Sequence, residues 1–427
     1  MFLKSDGSLW VMGDNEYGQL GDGYFVTGPP YGTNRPEQIV ASNVTAIAAG
    51  YYHSLFLKND GSLWSMGAND VGELGDGTTN NVDYPEQIVP SGVTAIAAGM
   101  GFSIFTKSDG SLWFIGVKQW LTVYSGPHGG VPTNSYTTIP QQIVNSGVMA
   151  IAAGFEQMLF LQNDGSLWSM CGNGAGELGD GTFNSTGQPQ PIVSSGVVAI
   201  AAGSGISLFL KSDGSLWGMG DDSNGALGTT NSTMLYGCFV RPQQIVSGGF
   251  TAIAADASDT ILLKSDGSLW GMGEDSDGQL AVRGTYYSPV QIVASGVTAI
   301  AAGAEKTLFT KSDGSLWGMG DVRYGGLGVG DYDDHSNNVF PGTFPVQIVA
   351  GPPGYNHTSV QLLNGGNVQL SFLGIAGTNY ALDHSFSLAP PVWLPLATNP
   401  AGSGGVLVFT NTPDPTTNSF WRVRSVP

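Results

Sequence analysis

Cations are scarce in this chain. Lys and Arg total 14 against 33 Asp and Glu, a formal net charge of −19 over 427 residues. That sign repels phosphate backbones and anionic lipid headgroups, so nucleic acid is not an expected partner and a partner of cationic character is. Cysteine is nearly absent. Cys171 and Cys238 fall in different repeat units and match no metal or redox spacing, which argues against a disulfide framework or a zinc site. The five histidines stand singly, so spacing assembles no Ser-His-Asp or Cys-His arrangement. No run of 18 apolar residues occurs, and no membrane insertion is expected. No glycine loop leads from a strand into a helix to cradle phosphate. Neither a cofactor nor a metal is assigned, since the acidic stretches at 274–277 and 331–334 lack EF-hand spacing.

What is present is a repeat. Asp-Gly-Ser-Leu-Trp recurs seven times, ending at Trp10, Trp64, Trp113, Trp168, Trp217, Trp270 and Trp317, at intervals of 47 to 55 residues. A fixed period of that size marks a modular architecture. The second unit reads Val44-Thr45-Ala46-Ile47-Ala48-Ala49-Gly50, then His53-Ser54-Leu55-Phe56-Leu57-Lys58, then Asp60-Gly61, then Ser62-Leu63-Trp64-Ser65-Met66-Gly67, and later Pro85-Glu86-Gln87-Ile88-Val89. Four strands are predicted: a short inner strand of small residues, a second and third joined by an Asp-Gly type I′ hairpin, and a brief outer strand announced by proline. The second and third are apolar on both faces and so must be covered on both sides. Blades stacked as wedges provide that cover, and the Ala-rich strand fits the crowded centre. The fold class is all-β, a seven-bladed β-propeller of four-stranded blades. The recurring Trp and Met are expected to form the core between blades.

The pattern Ala-Ala-Gly-x-x-His-Ser, Asp-Gly-Ser-Leu-Trp-x-Met-Gly, x-Asn-x-x-Gly-x-Leu-Gly resembles the regulator of chromosome condensation repeat family, over about residues 1 to 350. The resemblance implies a seven-bladed propeller, and the uniformity of the units is more like bacterial members. Seven hairpins and seven outer strands occur but only six inner strands. The first blade is therefore expected to be incomplete, its inner strand lying before Met1 in a longer reading frame. The domains are set at 1–350 for the propeller, 351–364 for a linker or closing strand and 365–427 for a small C-terminal β-sandwich-like module. That module is similar to those ending exported bacterial repeat proteins. It and the low-Lys, Gly/Asn/Thr-rich composition lead to an expected place outside the cell or on its surface.

Antiparallel order sorts the connections onto two rims. The second–third hairpins, on one rim, hardly change among units. The inner–second turns and third–outer loops, on the other, change freely, and loops held on a rigid scaffold are where binding residues collect. Drift would leave small polar residues there, yet the variable rim holds Tyr17, Tyr51, Tyr52, Met100, Phe102, Phe155 and Tyr324, side chains of the kind that anchor interfaces. In the third unit Trp120, Tyr124 and His128 replace the usual Gly-x-Leu-Gly-Asp-Gly loop. With His53, read as a surface or capping residue, and the acids Glu156, Asp222, Asp275 and Glu305, these define a candidate partner-binding face. The expected activity is non-enzymatic binding of a protein or glycan by a monomer, as an enzyme inhibitor or adhesion module. The alternatives are nucleotide exchange on a small GTPase, implied by the family, and a lyase using the central channel.

Overall fold

The computed structural model describes residues 1–26, 28, 31–118, 136–228, 237–256, 258–282, 284–303, 305–330 and 344–350, and beyond these the backbone of six strands between 357 and 426. The chain divides into two compact units, Met1–Thr310 with Trp317–Ile348, and Val349–Pro427 with Lys311–Leu316. The first is a seven-bladed propeller. Blade two is representative: inner strand Val44–Ala49, second His53–Lys58, third Leu63–Gly67 and outer Val82–Val89, paired antiparallel in that order. Five further four-stranded sheets repeat it. Among the described residues blade one has three strands, Phe2–Leu3, Leu9–Asp14 and Gly32–Val40.

Every side chain of Leu55, Phe56 and Leu57 is buried, as are Leu63 and Met66, because each sheet is sandwiched between its neighbours. The apolar clusters accordingly lie between blades rather than within them. One joins Leu9, Val11 and Leu20 of blade one to Phe56 and Met66 of blade two, and another joins Leu55 and Leu63 to Phe105 and Ile115 of blade three. Fully burying a side chain such as Phe56 contributes about 2–3 kcal/mol, repeated at each seam. The recurring methionine has a specific task. A Cβ on Gly21 would fall 2.3 Å from the Met66 sulfur, and one on Gly328 would fall 2.6 Å from that of Met12. The loops of blades one, four and five thus lie close on the next blade's methionine, the loop of blade two lies on Ile115 instead, and the last loop lies on the first blade in the same way, which closes the ring. The backbone repeats the clasp: Gly23 N donates to Asp83 O, Gly77 N to Thr138 O, Gly181 N to Val240 O, and Gly330 N to Asn34 O.

Three local expectations change. The hairpin is not type I′, because only its glycine has positive φ (Gly61, 75°), and Gly61 N donates to Lys58 O while Lys58 N donates to Ser62 O. That is a three-residue loop, a tight turn followed by a one-glycine bulge. The outer strands are eight or nine residues long in blades one to six, and their prolines sit where the ladder shifts register, so no donor is lost. The tryptophans are half-buried on the constant rim, whereas Met66, Met170, Met219, Met272 and Met319 are fully buried.

The second unit contains two three-stranded antiparallel sheets. His357–Leu362 pairs with Val368–Leu373, which pairs with Val406–Asn411. Asn379–Ser385 lies between Leu394–Pro400 and Phe420–Val426. His357–Leu362 falls within 351–364, the stretch expected to be a linker or closing strand. Phe2–Leu3 pairs only with its third-strand neighbour among the described residues.

Candidate functional site

The variable rim is built on a fixed frame. In the third–outer loops one amide organises the turn: Asn69 Oδ1 accepts from Leu74 N at 3.0 Å, and its Nδ2 donates to Asp76 Oδ1 at 3.0 Å. Asn15 and Asn173 do the same with Leu20 and Leu178. In blades five and six this position is Asp222 and Asp275, whose Oδ1 atoms accept from Leu227 N and Leu280 N at 2.7 Å. Both aspartates are buried (7% and 4% exposed). Expected on the partner-binding face, both are set into the loops, where they accept from the backbone. A second carboxylate or amide closes the same turn. Glu73 accepts from Val71 N and Glu177 from Ala175 N, where Gln19 and Gln279 serve blades one and six.

A hydroxyl then pins blades two, three, six and seven each to the one before, whereas Met158 takes this place in blade four and the Ser207 hydroxyl of blade five is unpartnered. Ser54 donates to Gln19 O, Ser103 to Glu73 O, Thr260 to Ala226 O and Thr307 to Gln279 O, at 2.7 to 2.8 Å. The Ser/Thr recurring just after the start of the second strand is legible in the repeats, though its role was not. The residue before it reaches the following blade. Gln157 Nε2 donates to Gly203 O and Ile206 O, both at 2.9 Å, and His53 Nε2 lies 2.8 Å from Ser103 Oγ. His53 is 2% exposed, and burial pushes its imidazole down to about 4, so it is a neutral seam residue rather than a surface or capping one. Phe102, in the same position of blade three, is fully buried and stacks on Phe114 at 5.6 Å. It belongs to the core because the second strand begins there.

The remaining face residues separate into two halves. In one, four rings from three blades are in contact. Tyr17 lies 4.8 Å from Tyr52, Tyr52 lies 4.6 Å from Tyr51, and Tyr51 lies 5.2 Å from Phe155 across the opening. Edge-on geometry of this kind suits aromatic quadrupoles. Tyr51 is 52% exposed and the others half-buried, as is Met100, whose N–H donates to Phe155 O. Burial first, then Tyr51, Tyr17 and the carboxylates of Asp14 and Glu16, push the Tyr52 phenol up to about 12. Glu156 stands beside this half, its carboxyl raised by burial and by Glu177.

In the other half charge dominates. Arg323 pairs with Glu305 and Asp321 and approaches Asp277 at 3.9 Å, and Lys306 is 3.6 Å from Asp321. Glu305 N donates to Asp256 Oδ2. Tyr324 is exposed there, edge-on to Tyr31 at 5.8 Å. Beneath lies a group not foreseen from sequence. Asp259 is 1% exposed, both its oxygens lack a hydrogen-bond partner, and burial together with Asp256, Asp275 and Glu305 raises its carboxyl well above the usual range. Among the described residues no three His, Cys, Asp or Glu are placed to hold a metal ion. Trp120 and Tyr124 lie outside the described residues.

A model of the regulator of chromosome condensation (RCC1) repeat matches residues 6–57 and 60–106, and a second model of the same repeat matches 44–73 and 197–226. Among curated proteins, the E3 ubiquitin-protein ligase HERC2 of Homo sapiens is 35% identical over 83 residues, 19% of this chain. The guanine nucleotide exchange factor SRM1 of Saccharomyces cerevisiae is 38% identical over 88 residues, also 19% of the chain. These matches span 2% and 17% of the relatives' own lengths. In fold the chain is similar to Prp20p from Saccharomyces cerevisiae (TM-score 0.70, 19% identity, covering 84% of this chain and 89% of that one). It is likewise similar to human WBSCR16 (0.68, 19%, covering 83% and 96%).

Proposed function

We propose that this seven-bladed propeller of RCC1 repeats is a binding scaffold without catalytic activity, which engages a protein partner through its variable rim. The observation that carries this is the joined set of Tyr17, Tyr51, Tyr52 and Phe155, drawn from three blades to one exposed place. The seams are filled by buried Met, Phe and Leu, and aromatic clusters that reach the surface are the usual anchors of interfaces. The burial of His53 supports a non-catalytic reading, since it removes the histidine of the inner–second turns from general acid–base work. Enzyme inhibition and surface adhesion are specific forms of the same activity, and the composition supports a place outside the cell.

The test is to immobilise the chain beside a variant carrying Tyr51→Ala, Trp120→Ala and Tyr324→Ala, with the melting temperature of both recorded. A protein retained by the first and lost by the folded variant supports the reading. Retention of the same proteins by both removes the rim as the working surface. Nucleotide exchange is the second reading, favoured by the yeast exchange factor among the relatives and by the report of Prp20p's binding to Gsp1p and histones. It requires faster release of a labelled guanine nucleotide from a small GTPase, and unchanged release across candidate GTPases ends it.

A further inference from the structure

We infer that the aromatic half of the rim takes a lysine or arginine side chain of the partner protein, held over the Tyr51–Tyr52 rings and against the carboxylates beside them. The inference rests on the binding-face reading and adds the chemistry of the contact.

Charge is the first argument. Asp14, Glu16 and Asp70 are close enough to raise the Tyr17 phenol, with burial the larger cause. Every salt bridge among the described residues belongs to Lys306 or Arg323, and none involves Asp14, Glu16, Asp70 or Glu156. The repeat supplies the second argument. Arg323 is the third residue of its loop opening, after Asp321 and Val322, and the residues at that place in blades one and two are Glu16 and Asp70. Glu305, which Arg323 meets in blade seven, corresponds to Tyr52 in blade two. Blade seven thus carries its own cation for its carboxylates. Blades one and two substitute carboxylates for the cation and a ring for the carboxylate, leaving an acidic place beside the exposed Tyr51.

A cation resting on tyrosine faces gains about 0.5–2 kcal/mol, more as it is desolvated, and a carboxylate beside the ring adds attraction and direction. At the first position of the inner–second turns the residues are Tyr51, Met100 and Phe155 in blades two to four, but Ser204, Ala257 and Ala304 in blades five to seven. The bulky side chains therefore form one arc, which a long side chain with an apolar stem and charged tip matches.

The experiment uses the whole chain and a fluorescein-labelled oligolysine, with its fully Nε-acetylated form as the uncharged counterpart, read by fluorescence polarisation. Tyr51→Ala leaves the net charge unchanged and should weaken oligolysine binding about tenfold, while Tyr51→Phe, which keeps the ring, should stay within about twofold. Glu16→Gln with Asp70→Asn should also cost about tenfold. Glu37→Gln with Glu86→Gln, the same loss of charge on outer strands, should change binding by about twofold. Equal binding of the acetylated peptide, indifference to Tyr51→Ala, or equivalence of the two charge pairs would overturn the inference. If oligolysine ignores these changes but the folded rim variant still loses its captured partner, the rim binds by other chemistry. If that partner is also retained, the binding face falls with it.

Discussion

The two rims of the propeller are made by the same chain at the same period, yet they solve opposite problems. On the constant rim the hairpins share one device, seen in full in blade two, with Gln162 in place of the lysine in blade four and Leu262 in place of the phenylalanine in blade six. Asp60 Oδ1 accepts from Ser62 N at 2.9 Å and Ser62 Oγ at 2.6 Å, that same hydroxyl accepts from Trp64 Nε1 at 2.9 Å, and Lys58 sits 4.0 Å over the indole. The ring also stacks on Phe56 at 6.0 Å. The hairpins at Asp109, Asp213 and Asp266 keep the aspartate–serine–tryptophan bonds unchanged. On the variable rim the frame persists while the side chains it displays turn over completely. Titration separates the rims as well. Serine hydrogen bonds, both side-chain and backbone, hold the Asp60, Asp109 and Asp213 carboxyls below their usual range, whereas burial raises Asp14, Glu73, Glu156, Glu177 and Asp259. The hairpin aspartates are stabilised as carboxylates by bonds in shallow turns, whereas burial works against ionisation at those five carboxyls.

That contrast can be broken most forcefully at a hairpin glycine. Gly61 has φ +75°, and a Cβ there would meet Gly92 N at 2.8 Å. Gly61→Ala should lower stability by about 2–3 kcal/mol in urea unfolding, from strain and the forced shift of the next blade's link. Next is the hydroxyl that joins Asp60 to Trp64. Ser62→Ala leaves the indole N–H without its partner and should cost about 1–2 kcal/mol. A loss below about 0.5 kcal/mol in either variant would mean the constant rim is repeated for reasons other than stability.

The pH dependence sharpens the comparison. For the hairpin aspartates, depressed in the fold, the contribution is present above the unfolded value near 4 and is lost as pH falls through the folded value. For Glu73, raised by burial to about 6, the sign reverses: stability is full below the unfolded value near 4.5 and declines as pH rises through about 6. Gln19 and Gln279 make the corresponding hydrogen bond without a charge. Glu73→Gln should therefore stabilise the chain by about 1 kcal/mol at pH 8 and by almost nothing at pH 4.5, as read from denaturation midpoints at the two pH values. A gain of the same size at both would show that ionisation is not the cause. The smallest effect belongs to the ionic half of the variable rim. Arg323 is about a third exposed, and Arg323→Ala should lower stability by less than about 1 kcal/mol, a loss that shrinks further in added salt.

Much of this was legible before any coordinates. The seven Asp-Gly-Ser-Leu-Trp phrases set the blade count, and the two-sided apolar strands Leu55-Phe56-Leu57 and Leu63-Trp64 required neighbours on both faces. The Ala-Ile-Ala-Ala pattern occurs six times, and among the described residues blade one has three strands. Face residues fared unevenly. Tyr17, Tyr51, Tyr52 and Phe155 come together as a group, but Phe102 and His53, in turns of the same alignment, are buried. The reason is a single residue of offset: the first two positions of an inner–second turn face the opening, and the third begins the second strand and enters the seam. Asp222 and Asp275 were misread for a similar reason. An Asp that replaces a loop-organising Asn looks like surface charge until the amide it accepts from is seen.

Repetition in the sequence determined the fold, because seven copies of one phrase make packing, turns and seams answer the same way each time. It also fixed which rim would be constant, since the hairpins carry bonds that every copy needs. Which variable residues meet was decided by ring closure. Tyr51 and Phe155 are more than a hundred residues apart and belong to blades that do not adjoin, and only the curvature of the ring brings them within 5.2 Å. Arg323, by contrast, meets Glu305 and Asp321 within its own blade and Asp277 of the adjoining one, offsetting part of the acid there, while the carboxylates of the other half lie beside the rings.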